Sequence, residues 1–413
     1  MKKFILFLLL VTLLCGAISC KEKPDINSQL QISENEKWVS YPESGRISKM
    51  TETPTRIIFT LIDTLYYYNT MDNVPYVFCF DSLCKHNNWR SCISLRFMMN
   101  GVTSKIQYCG YNNRFYALRG EKLCSFSFDG SDLKIEYSFG EKGSLDEFIY
   151  SGQSADLQIW KNRVYFGNLN SETGTREVFY FEIDTGNIVH LTENIEDSVI
   201  NFIIYDESLY FEILKKTENG SEFGTYRSDM DMQQSTLVLE GFSTFDIDSV
   251  FHKNEFYYVE YAYVLNNEDA QSVPVALVSH NFDTDEKIIL YQIEDGVAPQ
   301  LLAVTDSYVY FIKQDMQYIG YELVRGTIRV DKYNNFSKIY RLDIKSGECK
   351  VVFDDLQCQV GELRFVSPDK VLILGQYCKA SEGEAELFDS LFVADIDENG
   401  HFINLKLLEV SQS

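Results

Sequence analysis

The residues in this chain best suited to do chemistry are Cys79, Cys84, His86 and Cys92, three thiols and an imidazole within fourteen positions. Thiolate and imidazole ligands suit zinc, and four of them could close a tetrahedral site. The spacing is not that of a standard zinc finger or ribbon. In an exported chain the favoured reading of the same residues is an oxidised hairpin loop, closed for instance between Cys84 and Cys92, with His86 in solvent. Cys79 reads as part of a strand, at the place that Ser127 takes one repeat later. A second pattern, Asp395, Asp397, Asn399 and Gly400, matches the opening of a calcium loop. Its twelfth position is Lys406, where a bidentate glutamate is needed, so the stretch reads as a hairpin turn.

Other chemical signatures are missing. The sequence contains no Gly-x-Ser-x-Gly elbow, phosphate-binding loop, His-Glu-x-x-His or dinucleotide fingerprint. The five histidines, His86, His190, His252, His280 and His401, are scattered, mostly near turns. Trp160 directly precedes a tyrosine-rich strand and reads as packing, whereas Trp89 falls in the cysteine loop. With 61 acidic residues, no glycosidase-type carboxylate pair can be singled out from sequence. No motif requires a cofactor, and no catalytic residue is assigned.

The N-terminus sets the expected compartment. Met1-Lys2-Lys3, the apolar run from Phe4 to Leu14 and the small-residue stretch ending at Cys20 have the three-part layout of a secretory signal. Ala17-Ile18-Ser19-Cys20 resembles the lipobox of bacterial lipoproteins, although Ala17 stands where leucine is usual. The resemblance implies cleavage before Cys20 and lipid on that cysteine. Cys15 is the rival, but bulky Leu14 precedes it. The expected organisation is a signal over 1–19, a polar, lipid-anchored tether over 20–38 and one globular domain over 39–413. The expected location is the bacterial cell envelope, facing the periplasm or exterior. Several acyl chains would hold it stably to a membrane.

The formal charge is −24 and becomes −26 once Lys2 and Lys3 are removed. Phosphate backbones repel such a chain, which argues against a nucleic-acid partner. Beyond Cys20, eight cysteines remain, and they allow 105 disulfide pairings. No pattern encodes an oligomeric state.

These residues must be positioned by a repeated β-structure. A polar pair followed by an apolar-aromatic strand recurs around Tyr66, Tyr116, Tyr165, Tyr210, Tyr257 and Tyr310, and around Leu372 without the tyrosine. In each repeat a strand ending in an Asp- or Gly-rich turn follows, as in Phe126-Ser127-Phe128-Asp129-Gly130 and Phe181-Glu182-Ile183-Asp184-Thr185-Gly186. Alternating apolar positions before such turns predict antiparallel hairpins. Three or four strands in a unit of about 50 residues fit a β-propeller blade. The expected fold is all-β, with seven blades, six or eight being the alternatives because insertions at Leu265 to Val273 and Tyr318 to Asn335 blur the unit edges. Trp38 to Ile47 is expected to complete the last blade.

The hairpin theme resembles propellers of the TolB and low-density-lipoprotein-receptor type, and bacterial lipoproteins built from such repeats. No blade carries the receptor's Tyr-Trp-Thr-Asp motif, so the resemblance implies the fold and transfers no binding residues. The expected function is a binding or scaffold propeller whose loops contact a protein, peptide or glycan. One alternative is a polysaccharide hydrolase or lyase using carboxylates at the central mouth. Another is a metal or redox sensor built on Cys79 to Cys92.

Overall fold

Repeated runs of β-branched and aromatic residues, split by turns rich in Asn, Asp and Gly, fold into seven four-stranded antiparallel sheets. The computed structural model describes residues between 50 and 408, apart from loop segments of which the longest are 93–105, 139–156 and 241–248. The first sheet contains Met50–Thr53 (β1), Arg56–Leu61 (β2), Thr64–Asn69 (β3) and Val74–Val77 (β4). The second contains Ile106–Cys109 (β5), Arg114–Arg119 (β6), Lys122–Ser127 (β7) and Lys134–Ser138 (β8). The third is built from Leu157–Trp160 (β9), Arg163–Leu169 (β10), Arg176–Glu182 (β11) and Ile188–His190 (β12). Ser198–Tyr205 (β13), Ser208–Thr217 (β14), Gly220–Ser228 (β15) and Ser235–Glu240 (β16) make the fourth. The fifth consists of Ser249–His252 (β17), Glu255–Asn266 (β18), Asp269–Asn281 (β19) and Glu286–Gln292 (β20). Pro299–Val304 (β21), Tyr308–Val324 (β22), Ile328–Asp343 (β23) and Cys349–Asp354 (β24) form the sixth. Cys358–Ser367 (β25), Lys370–Ser381 (β26), Glu384–Ile396 (β27) and Phe402–Leu407 (β28) form the last.

Each sheet is a meander in sequence order, and the first strands of successive sheets approach one another, as β1 with β5, β5 with β9 and β21 with β25. This is a seven-bladed β-propeller with the first strand of each blade nearest the axis. The core lies between blades. In β22, Val309 and Phe311 pack toward the fifth blade, while Tyr310 and Ile312 pack toward the seventh. The same alternation puts Tyr165, Tyr210 and Tyr257 against the following blade. Both faces of the second strand are therefore buried, and the repeated tyrosine fills the gap between one sheet and the next.

The ring closes by the same device. Leu372, Leu374, Leu391 and Leu408 of the last blade pack on Met50, Ile57, Phe59, Tyr66 and Tyr68 of the first. The last sheet draws all four strands from 358–407, so its outer position is held by β28. Trp38 to Ile47 lie outside the described residues.

Two readings of the first repeat need correction. Tyr66 is on the third strand, opposite Phe59, and Ile58 of β2 takes the place that tyrosine holds in the later blades. Aromatic content drew the alignment one strand too far, because Arg56-Ile57-Ile58-Phe59 is a second strand without tyrosine. Cys79 lies two residues beyond β4, in the connection to the second blade, whereas Ser127 ends β7. The insertions at 265–273 and 318–335 fall inside hairpins of the fifth and sixth blades, so they do not affect the count of blades.

Candidate functional site

In an up-and-down blade, the turns from first to second and from third to fourth strand share one face of the ring. The tips from second to third strand, and the connections between blades, share the other. The two faces are here termed the turn face and the loop face.

On the turn face, polar groups join neighbouring blades. The Tyr111 hydroxyl lies 2.9 Å from both carboxylate oxygens of Asp184, linking the second blade to the third. Arg163 meets Asp231 at 2.7 Å, and Arg227 pairs with Asp283. Asp306 accepts from His252 at 2.9 Å and from Lys253 at 2.6 Å. At the sixth and seventh blades the Arg341 guanidinium fills the space beside Gly400, whose φ of +79° and missing Cβ admit it. These contacts are solvent-accessible and individually weak. Their recurrence across five junctions makes them blade-to-blade fasteners.

The turn face also absorbs most of the residues singled out in the sequence. Three histidines there each lie beside a different carboxylate, His252 by Asp306, His280 by Asp285 at 3.0 Å and His401 by Asp397 at 3.4 Å, whereas His190 meets Glu177 at 3.7 Å toward the loop-face end of the third blade. Asp397 Oδ1 accepts from the backbone N–H groups of Asn399 and His401 at 2.9 and 2.7 Å. Asp395 lies near the end of β27, and Asp397 to Gly400 belong to the hairpin turn that leads into β28. Trp160 packs against the core between the third and fourth blades. Trp89 and His86 lie outside the described residues.

The thiols converge on the opposite side. The Sγ atoms of Cys79, Cys84 and Cys92 all lie within 4.8 Å of one another, Cys92 being buried and the other two half-buried. They belong to the connection between the first and second blades, which places them on the loop face. The connection is pinned at its start by Phe78, fully buried against Phe115 at 5.6 Å and Phe126 at 6.2 Å between ring centroids. The Phe78 N–H donates to Leu65 O and that of Cys79 to Val77 O, fixing the backbone that carries the first thiol. The other cysteines with described side chains, Cys109, Cys124 and Cys349, lie in blade strands. Burial pushes the Cys109 and Cys349 thiols up, as expected of inert packing groups.

The loop face also bears features that sequence periodicity left unassigned. The second and third strands have six residues each in the first two blades, 12 and 13 in the fifth, 17 and 16 in the sixth, and 12 and 13 in the seventh. In the sixth blade the pairing continues from Gln314↔Ser337 to Val324↔Ile328, with a bulge between Tyr318 and Gly320. At about 3.3 Å per residue, that extension reaches roughly 35 Å past the blade proper. The signal for it was present in the alternating Tyr, Ile, Val and Phe residues of 318–336, which read as an insertion because they exceed one repeat.

Gln158 bridges two blades, donating to Phe202 O at 3.0 Å and accepting from the Ile204 N–H at 2.7 Å. Among the described side chains of the innermost strands, the carboxylate is that of Glu362, 3.3 Å from the Arg364 guanidinium. Sequence reasoning missed Glu212, a fully buried carboxylate on β14 that accepts from Asn201 Nδ2 at 3.4 Å. Its signal was a charge on the tyrosine side of an otherwise apolar second strand.

No family model matches this chain, and no curated protein matches it. Among solved structures, its fold is similar to puromycin hydrolase, with 10% identity, a TM-score of 0.51, and coverage of 89% of this chain and 55% of that one. The S511A mutant of puromycin hydrolase complexed with PGG gives 11% identity, a TM-score of 0.50, and coverage of 88% and 53%. An oligogalacturonate lyase from Vibrio parahaemolyticus gives 11% identity, a TM-score of 0.45, and coverage of 84% and 87%. This chain spans about half the length of the puromycin hydrolase chains, and likeness at such identity is a likeness of fold alone.

Proposed function

We propose that this protein is an exported lipoprotein that binds a protein, peptide or glycan on the loop face of its propeller. In this reading residues 1–19 are removed, lipid on Cys20 anchors the chain, 20–38 are a tether, and 39–413 carry the binding surface toward the periplasm or exterior. The observation that supports binding is the set of overlong hairpins on three consecutive blades, β18–β19, β22–β23 and β26–β27, all on one face. A ring does not need them, because the first two blades are complete with strands of six residues. On the turn face, by contrast, polar side chains join neighbouring blades at five junctions. The extension over 314–337 mixes Tyr318, Tyr321, Tyr333 and Phe336 with charges of both signs, a composition suited to polar ligands with apolar or sugar faces.

The test uses the Cys20→Ser chain, which is expected in the soluble fraction instead of the membrane pellet; a chain that stays in the pellet overturns the anchor. Peptide and polysaccharide arrays are probed with this protein and with a version in which an Asn-Gly turn replaces 314–337, joining the paired Lys313 and Lys338. Binding weakened roughly thirtyfold or more in the trimmed chain, the effect of losing one hot spot, supports the reading. Unchanged affinity overturns the assignment to this face. New reducing ends on a polysaccharide would replace binding with hydrolysis or lysis.

A further inference from the structure

The three converging thiols support more than a structural role. We propose that Cys79, Cys84 and Cys92 form a three-thiolate site for zinc on the loop face, with the fourth position taken by water. A disulfide joins two sulfurs at about 2.05 Å and leaves a third cysteine without a function. Here the third thiol is not at a distance: every pair among the three lies within 4.8 Å. Zinc–sulfur bonds of about 2.3 Å in a tetrahedron put thiolates about 3.8 Å apart. The triangle therefore needs to contract by no more than about 1 Å per edge to hold the ion.

The surroundings fit a thiophilic cation. Cys92 is buried, while Cys79 and Cys84 are half-buried, so solvent reaches part of the triangle. Cys79 directly follows Phe78, which is packed in the aromatic cluster with Phe115 and Phe126, and this holds one end of the site still. Lys85, adjacent to Cys84 and exposed, adds positive charge beside thiolates that together carry one more negative charge than the zinc neutralises. Binding transfers three protons from the thiols to solvent as three Zn–S bonds form, so affinity falls as pH is lowered.

The experiment uses the mature full-length chain carrying Cys20→Ser, prepared under reducing conditions and dialysed against zinc chloride. One tightly held zinc per chain is expected, with Cys79, Cys84 and Cys92 protected from alkylation until a chelator is added. Cobalt in place of zinc should show the near-ultraviolet sulfur-to-metal charge-transfer bands and visible bands of a tetrahedral thiolate site. Cys84→Ser should weaken zinc binding roughly tenfold or more, at least the loss seen for groups that only support a ligand. Cys349→Ser, in a blade strand, should leave it unchanged. If Cys84→Ser fails to fold, the alkylation pattern of the unsubstituted chain decides. Peptide maps showing two of the three cysteines joined in protein isolated from its own envelope, or an alkylation pattern that zinc does not change, overturn the proposal.

Discussion

At the scale of single residues, the molecule relies on large aromatic side chains placed between sheets. Phe78 follows β4 and is the link between the first two blades and the thiol connection. Replacing it with alanine removes a fully buried ring from contact with Phe115 and Phe126 and leaves a cavity. The expected loss is about 3–5 kcal/mol, measured as a lowered denaturant midpoint with an unchanged slope. A loss below about 1 kcal/mol would mean that the connection is not anchored there. The convergence of the three thiols was half-legible: their density in sequence marked the segment, while their number at one point is a product of the path the connection takes. Favouring a Cys84–Cys92 loop followed from compartment and spacing, which carry no information on where Cys79 points.

Among the elements, the second strand of each blade explains most of the repeat. Its alternation serves two interfaces at once, so a tyrosine facing one neighbour alternates with aliphatic and phenylalanine residues facing the other. In the first blade Ile58 does this work, and the conspicuous tyrosines belong to β3, where Tyr66 and Tyr68 close the ring against the last blade. An alignment by aromatic content could not detect this shift, since both strands are apolar and end in polar turns. The long β22–β23 hairpin leads to a prediction of its own. Its extension over 314–337 lies outside the pairing of Tyr308 to Lys313 with Lys338 to Asp343, which holds the blade together. Trimming it to a two-residue turn should move the thermal midpoint by no more than a few degrees, read by circular dichroism. A large drop would make the extension part of the core and remove the reason for assigning it to ligand binding.

Across the whole molecule, the titrating groups set the pH window in which the ring is stable. Asp132 is held below the ordinary aspartate range by hydrogen bonds from Arg114 and Lys134, Asp295 by Lys313, and Asp306 by Lys253 and His252. Asp343 is lowered by the backbone and hydroxyl of Ser346, and Asp397 by the backbone N–H of His401. Their contribution is fully present above the unfolded value of about 3.9 and is lost as pH falls through the lower native values. Burial pushes Tyr108, Tyr116, Tyr165 and Tyr257 up to about 12. What they contribute is complete below about pH 10, the unfolded value, and is lost as pH rises toward 12. The melting midpoint should therefore be level between these limits, falling below about pH 4 and above about pH 10. A midpoint that stays level to pH 11 would show that the interblade hydroxyls are solvated. The sequence by itself determined that the chain is all-β and that its unit is about 50 residues long, because strand periodicity and turn chemistry are local properties, and it favoured seven such units over six or eight. Only the tertiary structure decided which strand of the first blade faces which neighbour, that the ring closes by packing Leu372 and Leu391 on Ile57 and Phe59, and that three thiols meet on the face where the long hairpins project. Those outcomes depend on how sheets twist and stack around an axis, which brings together residues whose separation in the chain no local pattern records.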